Sequence, residues 1–142
     1  MKSESRFWRS LKAKIPGHFM RVENGCMPGT PDVNLCINGR EFWVELKDVD
    51  QFPKRPTTPV FGREGLRPDQ VLWMKQRIKA GGLVYIIGKV ANETYCISGV
   101  YAENFNNFTR SELEERDLNY RKVLGLDDPE GILSATKAME KA

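Results

Sequence analysis

The stretch that decides the fold is GTPDVNLCINGREFWVELK, residues 29–47. At its centre, Asn38-Gly39 is the strongest short-range signal for a two-residue β-turn. Residues that alternate between apolar and polar flank this pair on both sides, as in strands with one buried face. The sequence therefore predicts a β-hairpin with strands at residues 33–37 and 41–47.

The length of the turn determines which residues of the hairpin oppose one another. A two-residue loop pairs Ile37 with Arg40, and the same register places Asp32 opposite Glu45. Opposed side chains have Cβ atoms about 4.5–5.5 Å apart, so two opposed carboxylates repel each other. Lys47 lies two residues beyond Glu45 on the same face. A divalent cation between the acids would relieve the repulsion, and the neighbouring ammonium would suit a phosphate.

The alternation sorts the hairpin into two faces. Apart from Arg40 at the tip, the face predicted to be buried carries Val33, Leu35, Ile37, Phe42, Val44 and Leu46. The opposite face carries Asp32, Asn34, Cys36, Glu41, Trp43, Glu45 and Lys47. Because a slip of one residue would move the whole apolar set into water, the register is well specified.

The size of the chain, 142 residues, favours one domain, with a core at about 3–98 and a helical extension at about 109–142. The sequence contains no apolar run of about 18 residues. Its N-terminus has no apolar signal core followed by small residues. We therefore expect no membrane partner and a cytoplasmic location, in a bacterial or phage-infected host cell.

The residues available as ligands favour a hard metal ion. The three cysteines are scattered without a CxxC pair, which predicts neither a disulfide framework nor a zinc site. The carboxylate oxygens of Asp32 and Glu45 instead favour Mg²⁺, with Mn²⁺ as a substitute. Such a metal lowers the pKa of a bound water and neutralises phosphate charge. The reaction class that fits is phosphodiester hydrolysis.

Basic residues cluster in two places, although the net charge is only +3. One cluster lies in the first predicted helix and the strand after it, and the other lies in the segment after the hairpin. Clustered cations near a carboxylate site suit a polyanion, although ordinary solvated surface charge is an equal alternative. The predicted DNA contacts are Arg6, Arg9, Lys54, Arg55, Arg63 and Arg67.

The remaining pattern predicts an α/β fold with a mixed sheet. Helices are expected at 3–15, 68–80 and 109–124 and from residue 128 onward, with further strands at 18–23, 83–88 and 94–98. Strand 41–47, helix 68–80 and strand 83–88 form a right-handed βαβ unit with parallel strands. The segment 48–67 lacks periodicity and borders the predicted site, so it is either functional or a mobile surface excursion.

The motifs around this hairpin resemble those of the PD-(D/E)xK nuclease superfamily. The matching residues are Pro31-Asp32 and Glu45-Leu46-Lys47. The run GTPDV (29–33) resembles the VRR-NUC family and the archaeal Holliday junction resolvases. The run LRPDQVLW (66–73), followed by AGG (80–82), is most similar to VRR-NUC. The resemblance implies a restriction-endonuclease-like αβββαβ core, followed here by C-terminal helices.

The resemblance implies a role for each matching position. Asp32 and Glu45 would bind the metal together with the backbone carbonyl of Leu46, and Lys47 would be the catalytic lysine.

Two further positions come from the flanking helices. The family's first-helix acid should match Glu4, which falls on the apolar stripe of the first helix, with Glu23 as the alternative. Gln70 would steady the site or the attacking water. Its alternative is a polar residue exposed in a first helical turn.

The function implied by the resemblance is that of a metal-dependent, structure-selective endodeoxyribonuclease. Stand-alone domains of this family look like homodimers that cut branched DNA at two symmetric points. Holliday junction resolution, in DNA recombination and repair, is therefore the leading expectation. A non-catalytic nucleic-acid-binding module of the same fold remains an alternative, as does a restriction-type or single-strand nuclease.

Overall fold

The computed structural model describes residues 3–15, 17–22, 28–37 and 39–124, and for Ser3, Glu4, Ser5 and Lys14 it describes the backbone alone. The helices are α1 (Ser3–Lys14), α2 (Pro68–Lys79), α3 (Ala102–Phe105), α4 (Arg110–Arg116) and α5 (Tyr120–Val123), with a 3₁₀ turn at Gly99–Tyr101. The strands are β1 (His18–Arg21), β2 (Val33–Ile37), β3 (Arg40–Val49), β4 (Val84–Val90) and β5 (Glu93–Ser98). No helix within the described ranges is long and apolar enough to cross a membrane.

The strands form one mixed sheet in the order β1-β2-β3-β4-β5. β3 and β4 are parallel, and the other neighbouring pairs are antiparallel. The parallel pair is the one that α2 connects, because parallel neighbours need a crossover. This confirms the predicted α/β fold class and the βαβ unit, with β4 beginning one residue later and ending two residues later than expected.

The hairpin has the predicted register, from Ile37 opposite Arg40 to Val33 opposite Val44. Gly39 has φ +79°, the left-handed conformation that a tight two-residue turn requires. Asn38 lies outside the described residues. The expected opposition of Asp32 and Glu45 is not a pair of the ladder, because β2 begins at Val33.

The sheet is covered on both faces. On one face, α1 and the chain around α5 pack against the predicted apolar residues of the hairpin and against Tyr85 and Ile87 of β4. On the other face, α2, α3 and α4 pack against Val84, Ile86 and Val90. The second face also includes Trp43, Glu45 and Lys47, so the polar side of the hairpin lies partly beneath α2 rather than in open solvent.

The segment after the hairpin is anchored to the core. β3 continues to Val49, and the chain from 50 to 67 then runs without helix or strand. Val60, Phe61 and Leu66 are nevertheless buried. The Phe61 ring stacks on Phe105 with centroids 4.8 Å apart. The segment is therefore not a surface excursion along its whole length.

The expected single helix over 109–124 is wrong. α4 ends at Arg116, because Asp117 is extended and its Oδ1 accepts hydrogen bonds from Cys96 N and Asn119 N, at 2.7 and 3.0 Å. Leu118 N then donates to Cys96 O at 2.8 Å, which holds the chain on the edge of β5. The helix expected from residue 128, and with it much of the extension to 142, lies outside the described residues.

Candidate active site

Glu45 is the buried charged residue at the centre of the site, with 2% of its surface exposed. Its Oε2 accepts a hydrogen bond from Gln70 Nε2 at 3.0 Å and lies 3.5 Å from Lys47 Nζ. A buried carboxylate is costly unless such partners compensate for lost water. Strand β3 and helix α2 together therefore hold one oxygen of this group in a defined place.

Gln70 is oriented by its own helix. Its Oε1 accepts a hydrogen bond from Arg67 N at 2.9 Å, which directs the amide nitrogen toward Glu45. Pro68, at the first helical position, has no N–H to satisfy. Gln70 is 4% exposed, so the alternative of an exposed first-turn residue is wrong.

Asp32 lies just before β2 and is turned toward β3. Its Oδ2 accepts a hydrogen bond from Leu46 N at 3.1 Å, and its carbonyl accepts one from Val22 N at 2.6 Å. The N–H and C=O of a strand residue point to the same edge of the strand. The Leu46 carbonyl is therefore directed to the edge of β3 at which the Asp32 carboxylate lies.

Gly29 brings the Pro31-Asp32 turn against the start of α2. Its φ is +89°, and a Cβ at this position would lie 2.2 Å from the Asp69 carbonyl oxygen. Only glycine permits both this conformation and this close backbone approach. Consequently the turn that carries Asp32 and the helical turn that carries Gln70 are packed directly together.

Lys47 has an apolar neighbour on its own face. It lies beside Gly88 of β4, and a Cβ at Gly88 would come within 2.7 Å of the Phe61 ring. The Phe61 ring therefore fills the space that a side chain on β4 would occupy. The Lys47 side chain is 13% exposed, so its ammonium is sheltered but not closed off.

The six predicted DNA contacts are all exposed. Arg6 lines a groove of about 580 Å³ together with Asp48 and Lys89, near the end of β3. Lys54 and Arg55 line a separate cleft of about 360 Å³ against α4. The remaining three are Arg9 on α1, Arg63 on the segment 50–67, and Arg67, which pairs with Asp69 at 3.1 Å.

The candidates for a third acid are Glu4 and Glu23. Glu4 belongs to α1, but its side chain lies outside the described part of the structure, and Glu23 lies outside it altogether. Among the described residues, no three His, Cys, Asp or Glu side chains form a group that could hold a metal ion. Of the predicted metal ligands, Asp32 and Glu45 have described carboxylates, and their oxygens fit a hard cation rather than zinc.

Asn106 bonds to the backbone just before α2, a contact that no pattern in the sequence predicts. It follows α3, and its side chain bonds to the backbone of Leu66 at both the N–H and the C=O. An asparagine in a loop indicates a turn, but its partner 40 residues away depends on the tertiary fold.

Comparison with known proteins supports the fold. No protein-family model matches the sequence, and a comparison with curated proteins gives no match. Among solved structures, Hjc of Archaeoglobus fulgidus, a Holliday junction resolvase from an archaeal hyperthermophile, is similar with a TM-score of 0.61. The match covers 87% of this chain and 97% of Hjc at 16% sequence identity. The chain therefore shares the mixed α/β fold of Hjc.

Proposed function

We propose that this protein is a divalent-metal-dependent endodeoxyribonuclease that hydrolyses phosphodiester bonds in branched DNA. The observation that carries the proposal is the contact of Glu45 with both Lys47 and Gln70, next to the hydrogen bond between Asp32 and Leu46 N. Asp32, Glu45 and Lys47 are the positions that match the PD-(D/E)xK motif, and Gln70 matches the glutamine of the VRR-NUC resemblance. The structural likeness to Hjc supports the same activity class.

The oxygens at this edge of β3 suit Mg²⁺, with Mn²⁺ as a substitute. Asp32 and Glu45 would hold the ion with the Leu46 carbonyl, and the carboxylate of Glu4 or Glu23 would complete the set. When bound, the ion would neutralise charge on a phosphate oxygen and lower the pKa of a coordinated water. Donor chemistry supports this choice, since hard cations take oxygen ligands.

Lys47 and Gln70 have separate roles in this proposal. The Lys47 ammonium, on a side chain that is 13% exposed, stabilises the negative charge that develops on the phosphate oxygens. Gln70 is a positioning residue, because it contacts Glu45 and fixes the direction of that carboxylate.

The proposed substrate is a four-way junction, cut by a homodimer of the VRR-NUC type. A two-fold dimer presents two sites to a symmetric junction. The exposed basic residues on α1 and on the segment 50–67 would contact phosphates, which position the DNA without reading its sequence.

The proposal is tested with Asp32→Asn and Lys47→Ala, assayed on junction, flap, fork and duplex DNA with Mg²⁺ or Mn²⁺. Both variants should lose cleavage while still binding junction DNA, because neither residue belongs to the exposed basic set predicted to hold the DNA backbone. Lys79→Ala, which changes an exposed lysine in the last turn of α2, should cut normally. Undiminished cutting by Asp32→Asn or Lys47→Ala would contradict the assignment.

The same assay separates the alternatives. Binding without product in either metal would favour a non-catalytic module, and cleavage of plain duplex or single strands alone would favour a restriction-type or single-strand nuclease. Sedimentation of the unmodified protein tests the proposed dimer.

A further inference from the structure

The side chain of Asn106 holds the backbone of Leu66 at two points. Its Oδ1 accepts a hydrogen bond from Leu66 N at 2.7 Å, and its Nδ2 donates to Leu66 O at 2.8 Å. One amide thereby satisfies both polar groups of a residue that is 5% exposed. Because an unpaired buried backbone group is costly, this pair of hydrogen bonds fixes the position of the chain at Leu66.

The surroundings of Asn106 leave little room for movement. A Cβ at Gly65 would lie 2.0 Å from Asn106 Oδ1, so the two segments are in direct contact. Beside them, Val60 N donates to Phe108 O at 3.0 Å, and Phe61 stacks on Phe105. Asn106 therefore belongs to an anchored part of the molecule and can act as a fixed reference for the segment it holds.

Two further hydrogen bonds connect the chain next to Leu66 with Glu45. Leu66 is followed by Arg67, whose N–H bonds to Gln70 Oε1 at 2.9 Å. Gln70 Nε2 then bonds to Glu45 Oε2 at 3.0 Å. A displacement of Leu66 would move Arg67 N and with it the group that sets the direction of the Gln70 amide.

We propose that Asn106 is a positioning residue of the active site, which acts on Glu45 through Leu66, Arg67 and Gln70. The inference rests on the proposed function. Its physical basis is that an amide presents a donor at one end and an acceptor at the other. In Gln70, Oε1 is held by Arg67 N, so Nε2 faces the Glu45 carboxylate. If the Gln70 amide were rotated, its oxygen would instead lie against an oxygen of Glu45.

The first test is a pair of substitutions measured alone and together. Asn106→Ala should lower the single-turnover cleavage rate roughly tenfold, as for the loss of other outer groups that orient metal ligands. DNA affinity should be unchanged. In a Gln70→Ala background, Asn106→Ala should add less than about twofold, because the residue through which it acts is gone. Independent, multiplying losses would overturn the proposal.

The matched control is Asn107→Ala. Asn107 is the next residue of the same turn, is exposed, and makes no side-chain hydrogen bond within the described part of the chain. It should leave the cleavage rate unchanged. If Asn106→Ala does not fold, Asn106→Asp retains the acceptor for Leu66 N and sets a carboxylate oxygen against Leu66 O. It should then show the same non-additivity with Gln70→Ala.

A second readout requires neither DNA nor metal. The side-chain amide protons of Gln70, buried and bonded to Glu45, should exchange slowly with solvent in nuclear magnetic resonance spectra of the intact protein. In folded Asn106→Ala or Asn106→Asp, this exchange should be at least roughly tenfold faster. Unchanged protection would overturn the proposal. If the wild-type protein cuts no DNA, the proposed nuclease function is wrong, but the exchange measurement still tests whether Asn106 holds the Gln70 amide in place.

Discussion

Gln70 connects two elements through the two ends of one amide. Its oxygen bonds to the backbone at the start of α2, and its nitrogen bonds to Glu45 on β3. The resemblance to the VRR-NUC motif was enough to predict that a glutamine at the start of this helix belongs to the site. Its burial could not, because the turn at Gly29 that packs against Asp69 is a tertiary contact.

We expect Gln70→Ala to reduce the cleavage rate by about 10- to 100-fold, the usual cost of removing a group that orients a metal ligand. Single-turnover kinetics at saturating DNA measure this effect. Gln76→Ala is the control, since Gln76 is an exposed glutamine on the same helix. Equal rates for the two variants would show that Gln70 does not support Glu45.

Two glycines allow the cost of backbone conformation to be separated from the cost of close contact. Gly29 and Gly39 both have positive φ, but a Cβ at Gly39 meets nothing within 4 Å. Gly39→Ala should lose roughly 1–2 kcal/mol of unfolding free energy from conformation alone. Gly29→Ala should lose more, because its Cβ also collides with the Asp69 backbone. Urea unfolding of both variants measures the difference, and equal losses would contradict it.

At the scale of elements, α4 begins at a capping box formed by Thr109 and Glu112. Thr109 Oγ1 accepts from Glu112 N, and Thr109 N donates to Glu112 Oε1 at 3.2 Å. Thr109 Oγ1 also donates to Glu112 Oε1 at 3.0 Å, and the two donations from Thr109 to this carboxylate lower the pKa of Glu112. The stability they provide is therefore present above the ordinary pKa of the carboxyl and is lost as the pH falls through its lowered value.

Thr109→Ala should destabilise the protein by about 1 kcal/mol at neutral pH, the usual cost of a lost N-cap. The loss should shrink at acidic pH, as the pH falls through the lowered pKa of Glu112 and the carboxylate that accepts these bonds is protonated. Urea unfolding at both pH values measures the difference, with Ser111→Ala in the same helical turn as the control. An equal loss at both pH values would show that the carboxylate does not contribute.

The elements also show where local pattern stops being informative. The Asn38-Gly39 signal gave the right register because turn length and alternation are local properties. The predicted end of α4, at about residue 124, was wrong because Asp117 accepts a hydrogen bond from Cys96, a residue far away in the sequence. The bond from Leu46 N to the Asp32 carboxylate, and the packing of Gly29 against Asp69, are likewise contacts between distant parts of the chain that local alternation does not predict.

At the scale of the whole molecule, the proposed DNA contacts predict a salt dependence. Replacing Lys54 and Arg55 together by alanine should weaken junction binding and reduce the slope of log affinity against log salt by about 2, one for each lost phosphate contact. Titrations at several salt concentrations measure the slope. Lys79→Ala should not change it. An unchanged slope for the double variant would remove the cleft against α4 from the DNA path.

The parallel pairing of β3 with β4 has a consequence for the order in which the protein folds. Glu45 and Lys47 lie on β3, whereas Phe61 and Gln70 lie in the connection between β3 and β4. This connection must close before β4 can pair with β3. Closing a long connection costs entropy that is repaid only when the non-local contacts form. The rings of Trp43 on β3 and Trp73 on α2, with centroids 5.2 Å apart, come together only when this connection closes. Refolding followed by tryptophan fluorescence should therefore reach its native signal together with the site, as a late and cooperative event.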